Sequence, residues 1–310
     1  MNRLSLYIFV ALLLMCGACS TGIESTPKIT EKDVTKAISQ QPGDPATRPT
    51  TVDAQCLPFE KWTKGKKFVV TDDNIRRIFN PSTDVDSDTL HLAGKELSYD
   101  GYYTGSILDN REIINIQFSL GNHHFTYTTG KTASQMPDNF TVPFLVDCDF
   151  VKQLHDQLAG KEFFIRTPIW YDLKGQMTEG RKYIKVHIND VLPGSKIYPV
   201  KVTFTTLDTK ETAQVWMVAG PYKMPNRTFD AMFSTDDTRK LYPTITDEIW
   251  KQITLGKLVA GMTRDEARLS IGAPATVDKK ITYNGLNELW QYNDGAYLIF
   301  EDGLLTRFRH

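Results

Sequence analysis

One short pattern occurs twice in this chain, and it constrains the fold more than any other feature. Gly65-Lys66-Lys67-Phe68, followed by Val69-Val70-Thr71, answers Gly160-Lys161-Glu162-Phe163, followed by Phe164-Ile165-Arg166-Thr167. A cysteine precedes each glycine, Cys56 and then Cys148. Short stretches rich in β-branched and aromatic residues follow each copy, and both copies end in a pair of them. Ile114, Ile116 and Phe118 alternate with Asn115, Gln117 and Ser119, the period of two of a half-buried strand. Gly121-Asn122 supplies a hairpin turn after it. In the second copy, residues 149–159 read as a helix: Phe150, Val151, Leu154 and Leu158 share a face, Asp149 caps the start and Gly160 ends it. Strand formers then recur at 161–167, 182–189, 199–205 and 213–218. These observations predict two β-rich domains, 54–131 and 144–232. One larger β-rich domain with an accidental repeat is the alternative.

About five short strands with a long early loop resemble a small SH3-like barrel, so the pair resembles tandem SH3-like domains. Closure, or near closure, would remove exposed strand edges. A connector with Ser234-Thr235-Asp236-Asp237-Thr238 and Pro243 follows, a composition suited to an exposed boundary. Residues 246–310 then predict an α+β module. Thr263 and Glu266 form a capping box at the start of its second helix, Gly272-Ala273-Pro274 ends that helix, and Asp294-Gly295 and Asp302-Gly303 separate three strands. Gly261-Met262-Thr263-Arg264-Asp265-Glu266-Ala267, Ile271-Gly272-Ala273-Pro274, Glu288-Leu289-Trp290-Gln291-Tyr292 and Phe300-Glu301-Asp302-Gly303-Leu304 together resemble the SmpA/OmlA-like small lipoproteins of the outer-membrane β-barrel assembly machinery. They are also similar to the repeats of β-lactamase inhibitor proteins. The resemblance implies two helices on a three-stranded antiparallel meander, used for binding or scaffolding. In the small members of that family the module lies soon after the lipidated cysteine, whereas here more than 200 residues intervene. That departure points to a separate envelope protein reusing the module.

The N-terminus carries Arg3, an apolar run from Leu4 to Met15, and Cys16-Gly17-Ala18-Cys19. The run is shorter than the roughly 20 residues a spanning helix needs. Small residues directly before Cys19 make the segment resemble a bacterial lipoprotein signal peptide, residues 1–18, with Cys19 as the lipid attachment site. Residues 19–53 contain Pro27, Pro42, Pro45 and Pro49 and read as a flexible tether. The resemblance of the C-terminal module implies an outer-membrane location; the lack of an acidic run just after Cys19 points to its periplasmic face, with the cell surface as the alternative. An oxidising compartment permits a disulfide between Cys56 and Cys148, and two small buried hydrophobes are the other reading.

With 36 basic and 37 acidic residues, the chain has no field to gather nucleic acid. Its six histidines are scattered, and the adjacent pair His123-His124 would point to opposite strand faces. Asp84, Asp86 and Asp88 lack the glycine and terminal glutamate of a calcium loop. No cofactor, metal or catalytic residue is therefore expected. Trp170 and Tyr171, in a loop with Gly175 and Gly180, are candidates for stacking on a sugar or peptide, with Trp170 as a barrel plug being the alternative. Trp290 and Tyr297 are candidate partner contacts. The reading is a non-catalytic envelope lipoprotein that binds or scaffolds another envelope component. Cell-wall binding, enzyme inhibition and, last, hydrolysis are the alternatives.

Overall fold

The two strands that follow the repeated glycines, β1 (Lys67–Val70) and β7 (Glu162–Ile165), bury alternate residues in the same order. Phe68 and Val70 enter one core, Phe163 and Ile165 another. Gly65 (φ 91°) and Gly160 (φ 77°) turn the chain into these strands through a backbone region that favours glycine. A computed structural model describes residues 52–80, 90–106, 112–222, 224–282 and 285–310. The leader, Cys19, nearly all of the tether and the Asp84, Asp86 and Asp88 cluster lie outside the described residues.

The first sheet adds β2 (Phe79–Asn80), β3 (Glu96–Ser106), β4 (Glu112–Leu120), β5 (His123–Thr128) and β6 (Leu145–Asp147), in the order β2-β5-β4-β3-β1-β6. The second adds β8 (Ile169–Tyr171), β9 (Met177–Glu179), β10 (Ile184–Pro193), β11 (Val200–Thr206), β12 (Thr212–Met217) and β13 (Phe233–Ser234), in the order β13-β7-β10-β11-β12-β8-β9. Read from the opposite edge, and apart from β9, the second order repeats the first strand for strand. All pairings are antiparallel. The long strand next to β1 or β7 carries a bulge in both copies, between Tyr99 and Gly101 and between Ile188 and Asp190. Bulges bend such strands and raise their twist.

The boundary between the copies is interlocked. Leu145 and Val146 alternate across β6, so Leu145 joins the first core and Val146 the second. The start of the predicted second domain thus supplies the edge strand of the first sheet. Helix α1 (Cys148–Leu158) follows at once, and Phe150, Val151, Leu154 and Leu158 are buried as its periodicity predicts. Ala54 crosses the other way into the second core. Gln157 binds the amide and carbonyl of Asp53 (3.2 and 2.6 Å), and Gln153 those of Gln55 (3.3 and 3.2 Å). Four helical residues rise about 6 Å and two extended residues about 6.6–6.8 Å, so two amides one helical turn apart serve as a strand's pairing partner.

Two short helices, α2 (Phe229–Met232) and α3 (Thr238–Leu241), flank β13. The C-terminal module has α4 (Asp247–Thr254), α5 (Arg264–Ile271) and an antiparallel meander of β14 (Thr276–Thr282), β15 (Gly285–Gln291), β16 (Tyr297–Glu301) and β17 (Leu304–Arg309). The meander has four strands where three are expected. The added strand is the polar edge segment TVDKKIT, whose composition carries little strand signal. The capping box at Thr263 and Glu266 is present. The described chain is thus β-rich, with three antiparallel sheets, a few helices and three apolar cores.

Lys66 is buried, with Nζ 2.7 Å from Asp147 Oδ1 and 2.6 Å from Asp149 Oδ2. Asp147 is buried and also caps α1 by accepting from the amides of Asp149 and Phe150, whereas Asp149 is mostly exposed. Breaking a buried pair strands the remaining charge. Lys66→Met should lower unfolding stability by roughly 3–5 kcal/mol, and Asp149→Asn by about 1 kcal/mol or less. Urea denaturation of both variants measures the contrast, and equal losses would contradict it.

Candidate functional site

The site residues expected from sequence divide by the face of the strand they occupy. Trp170 points inward from β8, fully buried against Phe204 at 5.1 Å, with Nε1 donating to Thr167 O at 2.8 Å. A methyl group at Gly180 would collide with the Trp170 ring and the Pro168 carbonyl. Trp170 is therefore the plug of the second core and is not a stacking surface. Its neighbour Tyr171 points outward and meets Trp216 edge-on at 4.3 Å. Exposed Met177, paired with Tyr171, and exposed Leu173 flank them. The sequence reading missed Trp216, because it lies on another strand.

Trp290 is likewise buried, and its Nε1 donates to buried Glu288 at 3.2 Å. Arg264 pairs with the same carboxylate at 2.5 Å. Trp290 thus serves the C-terminal core and cannot touch a partner. Tyr297 lies on the outward face of the meander and is partly exposed.

Cys56 and Cys148 are free thiols. Cys148 Sγ turns to Glu96, 4.0 Å away, on the face of β3 opposite that of buried Leu97. Cys56 lies on the core side, beside a cavity of about 10 Å³ shared with Trp62, Phe68 and Asp147. The disulfide that the sequence permits between them is not formed. Burial pushes the Cys56 thiol up to about 12 and Cys148 to about 11, with nearby carboxylates adding to the effect.

A cleft lies elsewhere, between the second sheet and the C-terminal module. It encloses about 480 Å³. Arg166 enters from the end of β7, Pro168 and Ile169 from the start of β8, and Lys182 and Tyr183 from the turn before β10; Arg268, Ser270 and Ile271 come from α5. Tyr183 has φ 59°, which turns its ring into the third core, 5.7 Å from Trp250, with its hydroxyl donating to Leu269 O at 3.3 Å. The amide of Lys182 donates to Thr254 O at 2.8 Å. These links hold both walls of the cleft in one register.

Arg166, Lys182 and Arg268 all line the cleft, and none of the described residues lining it has a carboxylate side chain. Arg166 Nη1 donates to Asp230 O at 3.1 Å, and the Arg268 guanidinium lies 5.2 Å over the Trp290 ring. Such an arrangement can hold negative charge through fixed cationic donors. Residues 166, 182 and 268 are far apart in sequence, and no local signal joins the three. Among the described residues, no group of His, Cys, Asp and Glu could hold a metal ion. No protein family, curated protein or solved structure matches the chain.

Half-buried acids with raised pKa make the fold sensitive to alkali. The thiols (about 12 and 11) and Tyr292 (pushed to about 12, chiefly by burial) stay protonated in the folded chain. The unfolded chain loses these protons at lower pH, near 9 for a thiol and 10 for a tyrosine. Above pH 9 the folded state binds more protons, so stability falls with rising pH. The urea midpoint should stay level from pH 7 to 8.5 and fall between pH 9 and 11. In the same range of neutral to mildly alkaline pH, alkylation of Cys56 and Cys148 should require unfolding. A midpoint that holds level to pH 11 would contradict this.

Proposed function

We propose that this chain is a lipid-anchored envelope protein that binds another envelope component without transforming it. The observation that carries this reading is the cleft of about 480 Å³, walled by two modules that Tyr183 locks together. Fixed walls and a few converging charged groups are what a binding site needs. In this reading Cys19 carries the acyl chains, the protein sits at the periplasmic face of the outer membrane, and the tether lets the folded part stand clear of the bilayer.

We read the repeated sheets as tandem SH3-like units. The order β6-β1-β3-β4-β5, the long segment between β1 and β3 and the 3₁₀ turn before β6 support this, as does the recurrence of the order in the second sheet. The C-terminal module is read as SmpA/OmlA-like, with a fourth strand added. Cell-wall binding through Trp170 and enzyme inhibition through Trp290 both lose their main contact residue to burial. The Tyr171–Trp216 pair keeps a stacking surface for the first of these.

The test is a crosslinking pull-down from intact cells, comparing the wild type with Cys19→Ala, together with fatty-acid labelling. Labelling should vanish in Cys19→Ala, and a specific envelope protein or glycan captured by the wild type should be lost with it. Capture of neither, or labelling that survives the substitution, would sink the reading.

A further inference from the structure

We infer that the cleft between the second sheet and the C-terminal module receives an organic anion, with a carboxylate or phosphate head on an apolar body. The inference rests on the proposed binding role and names the chemistry of its ligand. The whole chain has a formal net charge of −1, yet Arg166, Lys182 and Arg268 line one concave surface. Concave walls of low dielectric focus such a field. The three cations come from three separate elements, and no sequence run accounts for their meeting.

Each cation is placed before any ligand arrives. Arg166 is held by the Asp230 carbonyl. Arg268 is clamped between the Trp290 ring and Asp265, whose carboxylate is 3.5 Å away and mostly exposed to solvent. Lys182 is buried, with Nζ 5.1 Å from the centroid of the Tyr183 ring. Two guanidinium forks and an ammonium suit an oxyanion with several acceptor oxygens. Pro168, Ile169, Ile271 and Ala273 give the rest of the wall an apolar stretch, beside Ser270 and His310. A space of about 480 Å³ is within the range of about 300–1,000 Å³ that small organic ligands occupy. A bare phosphate would leave most of it, and the apolar stretch, unused.

Calorimetric titration of the purified full chain in nonionic detergent tests this with phenyl phosphate, benzoate, inorganic phosphate, benzyl alcohol and benzylamine. Phenyl phosphate or benzoate should bind saturably, one per chain, and the tighter of the two identifies the head group. Inorganic phosphate should bind roughly tenfold more weakly than the aromatic anion, and the neutral and cationic probes should not bind. Lys182→Gln should weaken anion binding roughly tenfold, and Lys182→Arg should retain most of it. Arg166→Gln replaces Lys182→Gln as the test if the latter lowers the melting temperature. Benzyl alcohol binding as tightly as the anions would overturn the inference. So would no saturable binding of either aromatic anion, or unchanged anion binding in the folded Gln variants. A chain that captures its envelope partner but ignores every anion overturns the anion alone. A chain that binds the anion but captures nothing overturns the envelope-partner reading alone.

Discussion

The ion pair of Lys66 with Asp147 is the interaction on which the arrangement of the two sheets turns. A buried ammonium is costly unless its charge is met, and here the partner of Lys66 closes β6 and caps α1 at once. The same carboxylate therefore fixes the last strand of the first sheet and the first turn of the helix that covers the second. The repeat shows what the pair adds. Lys161 follows Gly160 as Lys66 follows Gly65, yet it is exposed. In the second copy Phe233 and Ser234 lie opposite Ile165 and Phe164 as Leu145 and Val146 lie opposite Val70 and Val69. The next residue is Thr235 where the first copy has Asp147. With no anion at that place, the second lysine stays in water.

Much of the fold is legible in the sequence because its signals are local. The alternation of Ile114, Ile116 and Phe118, the apolar face of α1 and the Thr263 capping box each need only a few neighbouring residues. The shortest strands are not legible. Phe79–Asn80 and Phe233–Ser234 are two residues long, too short for any period to register. The polar edge strand Thr276–Thr282 is long enough, but it hides behind its lysines. Trp170 and Tyr171 teach a finer lesson. Adjacent strand residues face opposite sides, so one aromatic had to plug the core if the other reached solvent. The cleft is the least legible part. Its cations stand at positions 166, 182 and 268, and the insertion of Tyr183 into the third core, with the Lys182 amide bond to Thr254, brings their elements together.

That insertion also bears on what the cleft can do. Walls joined by the Tyr183 ring, its hydroxyl and the Lys182 amide need little reorganisation to admit a ligand. Preorganised donors lose less on binding than donors that must first be gathered. The position of the cleft matters as well. It opens where the repeated part of the chain meets the unrepeated part, so the C-terminal module completes a cleft beside the second sheet. Two copies of one topology can therefore carry different duties.

The crossing of Ala54 into the second core has a mechanical consequence. A pull arriving from the N-terminal side meets residues 52–56 before it meets the first sheet. Those residues are fastened to α1 by Gln153 and Gln157 and packed into the middle core. Tension is thus delivered to the second core through Ala54. A pull from that side therefore loads the glutamine rungs on α1 before the strands of the first sheet, which follow them in the chain.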